Sequence, residues 1–172
     1  MMETVHIREG HIGDVEAIFS LVEELGVYEK AGHEIDTSPA QLEKDGFGPN
    51  PLFNTYVAVT PGREIVGVAI FYIGYSTWKG KQLYLDDLVV TEAYRRKGVG
   101  QQLLDKLISH AQAHGVCQMR WHVLNWNEPA IRFYEKIQAQ LEDAWITCKL
   151  ERNQLAAYQA GGTYLQASYS DH

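Results

Sequence analysis

Apolar positions recur along the chain with two different periods, and the period changes where one element gives way to the next. TVHIRE near the start alternates apolar and polar residues, the spacing of a short half-buried strand. Val15, Ile18, Phe19, Val22 and Leu25 then recur at helical spacing, with Asp14 as the cap and Gly26 weakening the far end. Thr37-Ser38-Pro39 followed by AQLEKDGFG predicts a shorter helix, with Ser38 as N-cap, Pro39 in the first turn and Gly46 as its stop. The segment between them, VYEKAGHEID, is polar and irregular, a character often found in loops that carry function.

From residue 54 the period shortens to two. NTYVAVT, the turn PGRE and IVGVAIFYIGY predict a hairpin, and STWKGK turns the chain into a further strand, QLYLDDLVV. Alternation in that strand puts Tyr84, Asp86 and Leu88 on one face and Leu83, Leu85, Asp87 and Val89 on the other. Residues 98–114 carry the clearest helical stripe, Val99, Leu103, Leu104, Leu107, Ile108 and Ala111, closed by His114-Gly115. VCQMRWHVL reads as a strand and NEPAIRFYEKIQ as a helix with Asn127 as N-cap and Pro129 in the first turn. AWITCKL reads as a last strand, and ERNQLAAYQ as a short helix. Three consecutive strands running into a strand-helix-strand unit predict an α/β (α+β) fold: a mixed, mostly antiparallel central sheet of about six to seven strands flanked by helices. Residues 1–158 are expected to form one domain, with 159–172 a tail that is either disordered or an added strand.

Composition narrows the class. At 172 residues and 45% hydrophobic content the chain can bury a real core, and its net charge of -7 argues against a general nucleic-acid binder while suiting a cationic substrate. No apolar run approaches the roughly 18 residues of a membrane span, and MMETVHIREG has no leader-like apolar stretch. Cys117 and Cys148 sit in apolar runs outside any CxxC pair, and are expected to be reduced, buried thiols of a cytoplasmic protein. His110 and His114 are four apart on a helix but have no third ligand at suitable spacing, so no metal is expected.

The chemistry concentrates in AYRRKGVGQQLLDKL, residues 93–107, where a strand ends and the clearest helix begins. A helix start exposes orphan N–H groups and the positive end of its dipole, which together attract anions. Gly98 and Gly100 allow a ligand close to the backbone, and Arg95, Arg96 and Lys97 add charge, although a solvated basic turn accounts for these three equally well. No GK[ST] follows, and Leu103 stands where a dinucleotide fingerprint has its third glycine, so neither common nucleotide loop is matched.

Arg95, Gly98 and Gly100 form R-x-x-G-x-G, which resembles the acetyl-CoA pyrophosphate loop of the GNAT N-acetyltransferases. With YEK at 28–30, DGFGPNPLF at 45–53, YSTWKGK at 75–81, LYLDDLVV at 83–90 and WNEPAIRFYEK at 126–136, the chain from 4 to 150 resembles the diamine acetyltransferase branch, the spermidine/spermine and thialysine N-acetyltransferases. The resemblance implies the GNAT fold, acetyl-CoA as cosubstrate and a homodimer. It implies cofactor contacts from Leu88, Val89, Val90, Arg95, Arg96, Lys97, Gly98, Val99, Gly100, Gln101, Asn127, Ala130 and Tyr134. Asn127 is equally explained as a helix cap, and Tyr134 beside Phe133 as a core aromatic.

Acetylating an amine of pKa about 10.4 requires removing a proton from a cation, work for carboxylates. The resemblance assigns that proton to Asp86, acting directly or through water, and the leaving thiolate to Tyr134. A solvated edge or turn cap is the plain alternative for Asp86-Asp87, less comfortable between Leu85 and Leu88. Tyrosine, near pKa 10, protonates a thiolate, near 8.5, only uphill by about 1.5 units, so Tyr134 is expected to act mainly as a hydrogen-bond donor. Tyr28, Glu29, Ser76, Trp78, Asp87 and Asp143 are the implied substrate contacts. Ser76 replaces the aspartate of the spermidine/spermine enzymes, as in the thialysine type, which favours a thialysine-like amino acid or short diamine over long polyamines. Gln138 stands where the family has a glycine. Two other readings are a protein or peptide N-acetyltransferase and a non-enzymatic acyl-CoA sensor. No nucleic-acid or membrane partner is expected.

Overall fold

The computed structural model describes residues 4–159 and 163–164. Packing divides the chain into two compact units, Met1–His122 and Val123–His172.

The first unit is built on a five-stranded sheet in the order β1-β2-β3-β4-β5: His6–Glu9, Asn54–Val59, Ile65–Ser76, Gly80–Val90 and Gln118–Arg120. The first four strands are antiparallel neighbours, and β4 pairs with β5 in parallel. Helix α1, Val15–Tyr28, lays Ile18 and Leu21 on Val57, Val68, Ile70 and Val89. Helix α3, Val99–Ala113, covers the other face: a Cβ at Gly67 would lie 3.1 Å from Leu103 Cδ1, and the His110 ring meets the Phe71 ring edge-on at 5.1 Å. The α3 stripe buries Val99, Leu103, Leu104, Leu107 and Ala111, following the sequence periodicity. His110 and His114 stack at 4.0 Å, with the Tyr56 hydroxyl on His110 Nδ1.

Local chemistry explains the helix ends. Helix α2, Pro39–Phe47, starts where the Ser38 hydroxyl accepts from the Gln41 N–H at 3.2 Å. Asp14 caps nothing on α1. Its buried carboxylate instead takes two hydrogen bonds from Arg8, at 2.6 and 2.9 Å, and one from the His11 N–H. Burial pushes this carboxyl up, but the Arg8 and His11 hydrogen bonds and charges outweigh it and hold the group below its usual range. Neither glycine stops its helix: α1 continues past Gly26 to Tyr28, and α2 past Gly46 to Phe47. Gly26 answers a close approach, since a Cβ there would lie 2.7 Å from Ile35 Cδ1 and 3.2 Å from the Gly32 Cα.

In the second unit, helix α4, Glu128–Lys136, begins with the Asn127 side chain accepting from the Ala130 N–H at 3.4 Å. It ends at Gln138, whose φ of 60° is left-handed, with the Ala139 N–H reaching back to the Tyr134 carbonyl at 3.1 Å. Helix α5, Arg152–Ala157, leads into β6, Tyr158–Gln159, which pairs antiparallel with β7, Thr163–Tyr164. The rest of the tail expectation lies outside the described residues.

The principal sheet thus has five strands rather than six or seven. AWITCKL, 144–150, joins no ladder among the described residues and lies exposed, with Ile146 at 90%. The strand expected over 116–124 shortens to β5, because its pairing with β4 stops at Tyr84–Arg120. Both cysteines are exposed, correcting the expectation of buried thiols: Cys117 precedes β5 and Cys148 sits in the unpaired 144–150 segment.

Candidate active site

The strand β4 is irregular on both edges over the same few residues. Against β3, Phe71 pairs with Leu85 and Ile70 with Asp87, so Asp86 is an extra residue without a partner, a β-bulge. Against β5, the ladder covers Gln82 to Tyr84 and goes no further. The backbone of Leu85–Val90 therefore has no sheet partner on its β5 side among the described residues.

The bulge also breaks the simple alternation of the strand. Leu83 and Leu85 share the α3 face with Phe71, whereas Asp87 and Val89, across from Ile70 and Val68, share the α1 face. The sequence reading that put all four on one face is corrected: an extra residue shifts the side-chain parity by one. Asp87 is thereby set among groups that disfavour its charge. Burial first, then Asp86 and Glu29, push it up to about 7. Burial also raises Glu29, which follows the last residue of α1. Asp86 is solvent-exposed yet crowded enough for desolvation to raise it, with the nearby His122 pulling the other way.

Two aromatic hydroxyls complete the cluster. Tyr84 stacks on Tyr72 at 5.1 Å between ring centroids, and its hydroxyl is 2.5 Å from His122 Nδ1. Both phenols are raised, Tyr72 by burial and Asp86, and Tyr84 by burial, then Tyr72 and Asp86, against the pull of Arg120. Sequence reasoning missed Tyr72, His122 and Arg120 here. For Tyr84 a signal was present, since its alternation with Asp86 put both on one face. Glu29 and Asp86 both lie close enough to Asp87 to raise it, and the three carboxylates make a local field suited to a cation.

The turn after β4 is a helix start without a side-chain cap. Gly98, the N-cap of α3, has φ 81°, in the left-handed region, and Arg96 has φ 60°. The first-turn N–H groups of Val99, Gly100 and Gln101 have no i−4 carbonyl within the helix. At Gly100 a Cβ would meet only Val90 Cγ2, at 3.7 Å, so packing within the chain does not demand glycine there. A ligand approaching the backbone would. Lys97 Nζ lies 4.9 Å from the Tyr94 ring centroid. Arg95 is turned inward: its Nε donates to the Val90 carbonyl at 2.8 Å, its Nη2 to Glu24 at 3.2 Å, and its guanidinium lies 4.9 Å from the centre of the Tyr28 ring.

The remaining candidates lie elsewhere. Ser76 accepts from the Trp78 and Lys79 N–H groups at the β3–β4 hairpin tip, where Trp78 is 84% exposed. Seven residues of strand separate that tip from Asp87, roughly 20 Å, so one chain does not bring Ser76 and Trp78 to the carboxylates. Asn127, Ala130, Tyr134 and Asp143 belong to the second unit. There Tyr134 is buried and its phenol is pushed up to about 12 by that burial, while Asp143 is exposed.

An uncapped helix start with a left-handed glycine suits an anion, and the carboxylate cluster suits a cation. Residues 18–139 match the acetyltransferase (GNAT) family. The chain is 34% identical over 160 residues to thialysine N-epsilon-acetyltransferase of Mus musculus, spanning 87% of this chain and 94% of that protein. It is 38% identical over 146 residues to the Bos taurus protein of the same name, covering 81% and 86%. Among solved structures, an integron cassette protein from the mobile metagenome of V. cholerae superposes with a TM-score of 0.72 at 25% identity, covering 88% of this chain and 95% of that one. The chain belongs to the GNAT acetyltransferase family. Within it the chain matches the diamine acetyltransferase branch, and it is an N-acetyltransferase acting on amines.

Proposed function

We propose that this enzyme moves the acetyl group of acetyl-CoA to a primary amine of a small cationic substrate, a thialysine-like amino acid or a short diamine, in the cytoplasm. Residues 1–158 act as one functional N-acetyltransferase domain in this reading. The observation that carries it is the clustering of Glu29, Asp86 and Asp87 on and beside the strand that runs into the uncapped helix start. A cluster of acids beside an anion-seeking backbone suits a reaction between a cation and a polyanion.

The residues fit acetyl-CoA. N–H groups of Gly98, Val99, Gly100 and Gln101 would hold the pyrophosphate with charge from Arg96 and Lys97, and the open edge at Leu88, Val89 and Val90 would receive the pantetheine amides. The family resemblance implies further cofactor contacts from Asn127 and Ala130. Bound there, acetyl-CoA supplies the acetyl group as a reactive thioester. Glu29, next to Tyr28 at the end of α1, and Asp87 hold the ammonium, and the family resemblance implies a substrate contact from Asp143. Asp86, the extra residue of the bulge and raised by desolvation, takes the proton that frees the attacking nitrogen, directly or through water. For Tyr134 the family resemblance implies a hydrogen-bond donor to the leaving sulfur. Its raised pKa suits a donor that stays protonated.

Ser76 and Trp78 are remote from Asp87 within one chain, so a substrate role for them requires a second copy, a homodimer with the hairpin tips at the substrate entrances. An acetyl-CoA assay with free-thiol detection, run over thialysine, lysine, ornithine, putrescine, spermidine and a peptide, tests the reading. Release with the small amines and not the peptide is expected. Release with the peptide alone, or with none, overturns it.

A further inference from the structure

Glu24 lies on α1, one turn before Tyr28, and no motif singles it out. One of its oxygens accepts both the Glu92 N–H, at 2.8 Å, and Arg95 Nη2, at 3.2 Å. The same guanidinium donates through Nε to the Val90 carbonyl and packs over the Tyr28 ring. Both side chains of the pair are about one-third exposed, at 33% and 32%, so the contact is only partly screened. Three groups therefore tie the root of the glycine turn, Val90 to Arg95, to the last turn of α1. Directly after that turn come Glu29 and Lys30, the latter at φ 60°.

We infer that Glu24 and Arg95 form a strut that positions the amine-binding end of α1 against the cofactor turn, and that Arg95 is a positioning residue rather than a ligand of the pyrophosphate. Two of its donor directions and one face of its planar fork are committed within the protein, and turning outward would break all three contacts at once. Pyrophosphate charge is then met by the backbone N–H groups, Arg96 and Lys97. Glu24 holds Arg95 and fixes the Glu92 backbone, so its loss moves the site of Tyr28 and Glu29 without touching either substrate. The strut rests on the proposed function for its meaning, but its geometry is independent of it.

The test is a double-substitution cycle of Glu24→Gln, Arg95→Met and both, with Arg95→Lys as the conservative variant. Four quantities are read: amine KM, kcat, acetyl-CoA Kd by calorimetry, and the urea midpoint. Each single change is expected to raise amine KM about fivefold while acetyl-CoA Kd stays within about twofold, and the double variant to be no worse than Arg95→Met alone. Arg95→Lys, which keeps the charge but loses the fork, is expected to recover only part of the loss. Acetyl-CoA Kd rising about tenfold in Arg95→Met but not in Glu24→Gln marks Arg95 as a phosphate ligand and overturns the strut. So do effects on amine KM that simply multiply, or a collapse of the urea midpoint with all kinetic constants lost together. If the wild-type chain acetylates no amine, the functional reading fails on its own. The strut is then judged by calorimetry and by whether the urea midpoint shifts are non-additive, with additive shifts overturning it.

Discussion

Asp87 lies directly across the sheet from Ile70, on the face that buries Ile18, Val57 and Val68. A carboxylate in that setting opposes folding whenever it is charged. Its folded pKa is about 7 against an ordinary 3.8, so the neutral form is favoured in the native state. Stability from this group is fully present below about pH 4 and is lost as pH rises through about 7. The full shift corresponds to about 4 kcal/mol, which partial exposure reduces to about 2. Asp87→Asn is therefore expected to be more stable than wild type by about 2 kcal/mol at pH 8 and equal to it at pH 4. Urea unfolding at the two pH values checks this; a difference that does not change with pH would refute it.

Asp86, one residue away, should behave differently. It is exposed and occupies the bulge, so its side chain holds no part of the core. Asp86→Asn is expected to lower kcat by about 100-fold or more while shifting the urea midpoint little. The acid limb of kcat/KM should lie above the usual carboxylate range, since desolvation raises both Asp86 and its neighbour, and it should change shape in the variant. Retained turnover would remove Asp86 from proton transfer.

Tyr134 tests the other proton. With its phenol pushed up to about 12, it remains a donor across the working range and contributes no alkaline limb of its own below about pH 10. Tyr134→Phe is expected to reduce kcat by about 10- to 100-fold with acetyl-CoA Kd nearly unchanged. An equal loss in Kd would mean that it serves binding instead.

Much of the fold and part of this site were legible in the sequence, and the gaps have physical causes. Helical stripes such as Val99, Leu103 and Leu107, and caps such as Ser38 and Asn127, are set by local spacing and hydrogen bonding, so the chain's pattern carried them. Gly98 was legible because its left-handed backbone, φ 81°, favours glycine. The bulge at Asp86 was not, because alternation assumes a regular pleat and an extra residue leaves no mark in hydropathy. For Arg95 the family resemblance implied a cofactor contact, and nothing in the motif pointed to its partner Glu24, which lies 71 residues away. AWITCKL has a strand's hydropathy yet no ladder among the described residues, since periodicity says nothing about where a partner strand is.

Gln138 is a local misfit. It ends α4 in the left-handed conformation, φ 60°, where a side chain crowds the backbone. Gln138→Gly is expected to stabilise the protein by about 1 kcal/mol, because glycine adopts that geometry freely and suits the helix C-terminus. Thermal unfolding checks it, and a lower Tm would show that the glutamine side chain contributes contacts worth more than the strain.

Gly98 and Gly100 both sit at the start of α3, but for different reasons, and alanine should separate them. At Gly98 the φ of 81° penalises any Cβ whether or not a ligand is bound. Gly98→Ala is therefore expected to lose about 1 kcal/mol of folding stability, with acetyl-CoA binding weakened as the turn shifts. At Gly100 the backbone is ordinary helix and a Cβ would have room, its nearest neighbour being Val90 Cγ2 at 3.7 Å. Gly100→Ala should match or exceed wild type in Tm, since alanine favours the helix by up to about 1 kcal/mol. Its acetyl-CoA Kd should nonetheless rise by about tenfold or more, because the new methyl occupies the space the pyrophosphate needs against the N–H groups. Calorimetry on the two variants beside their melting curves decides the matter. Normal acetyl-CoA binding by a stable Gly100→Ala protein would mean that the cosubstrate does not sit on this turn.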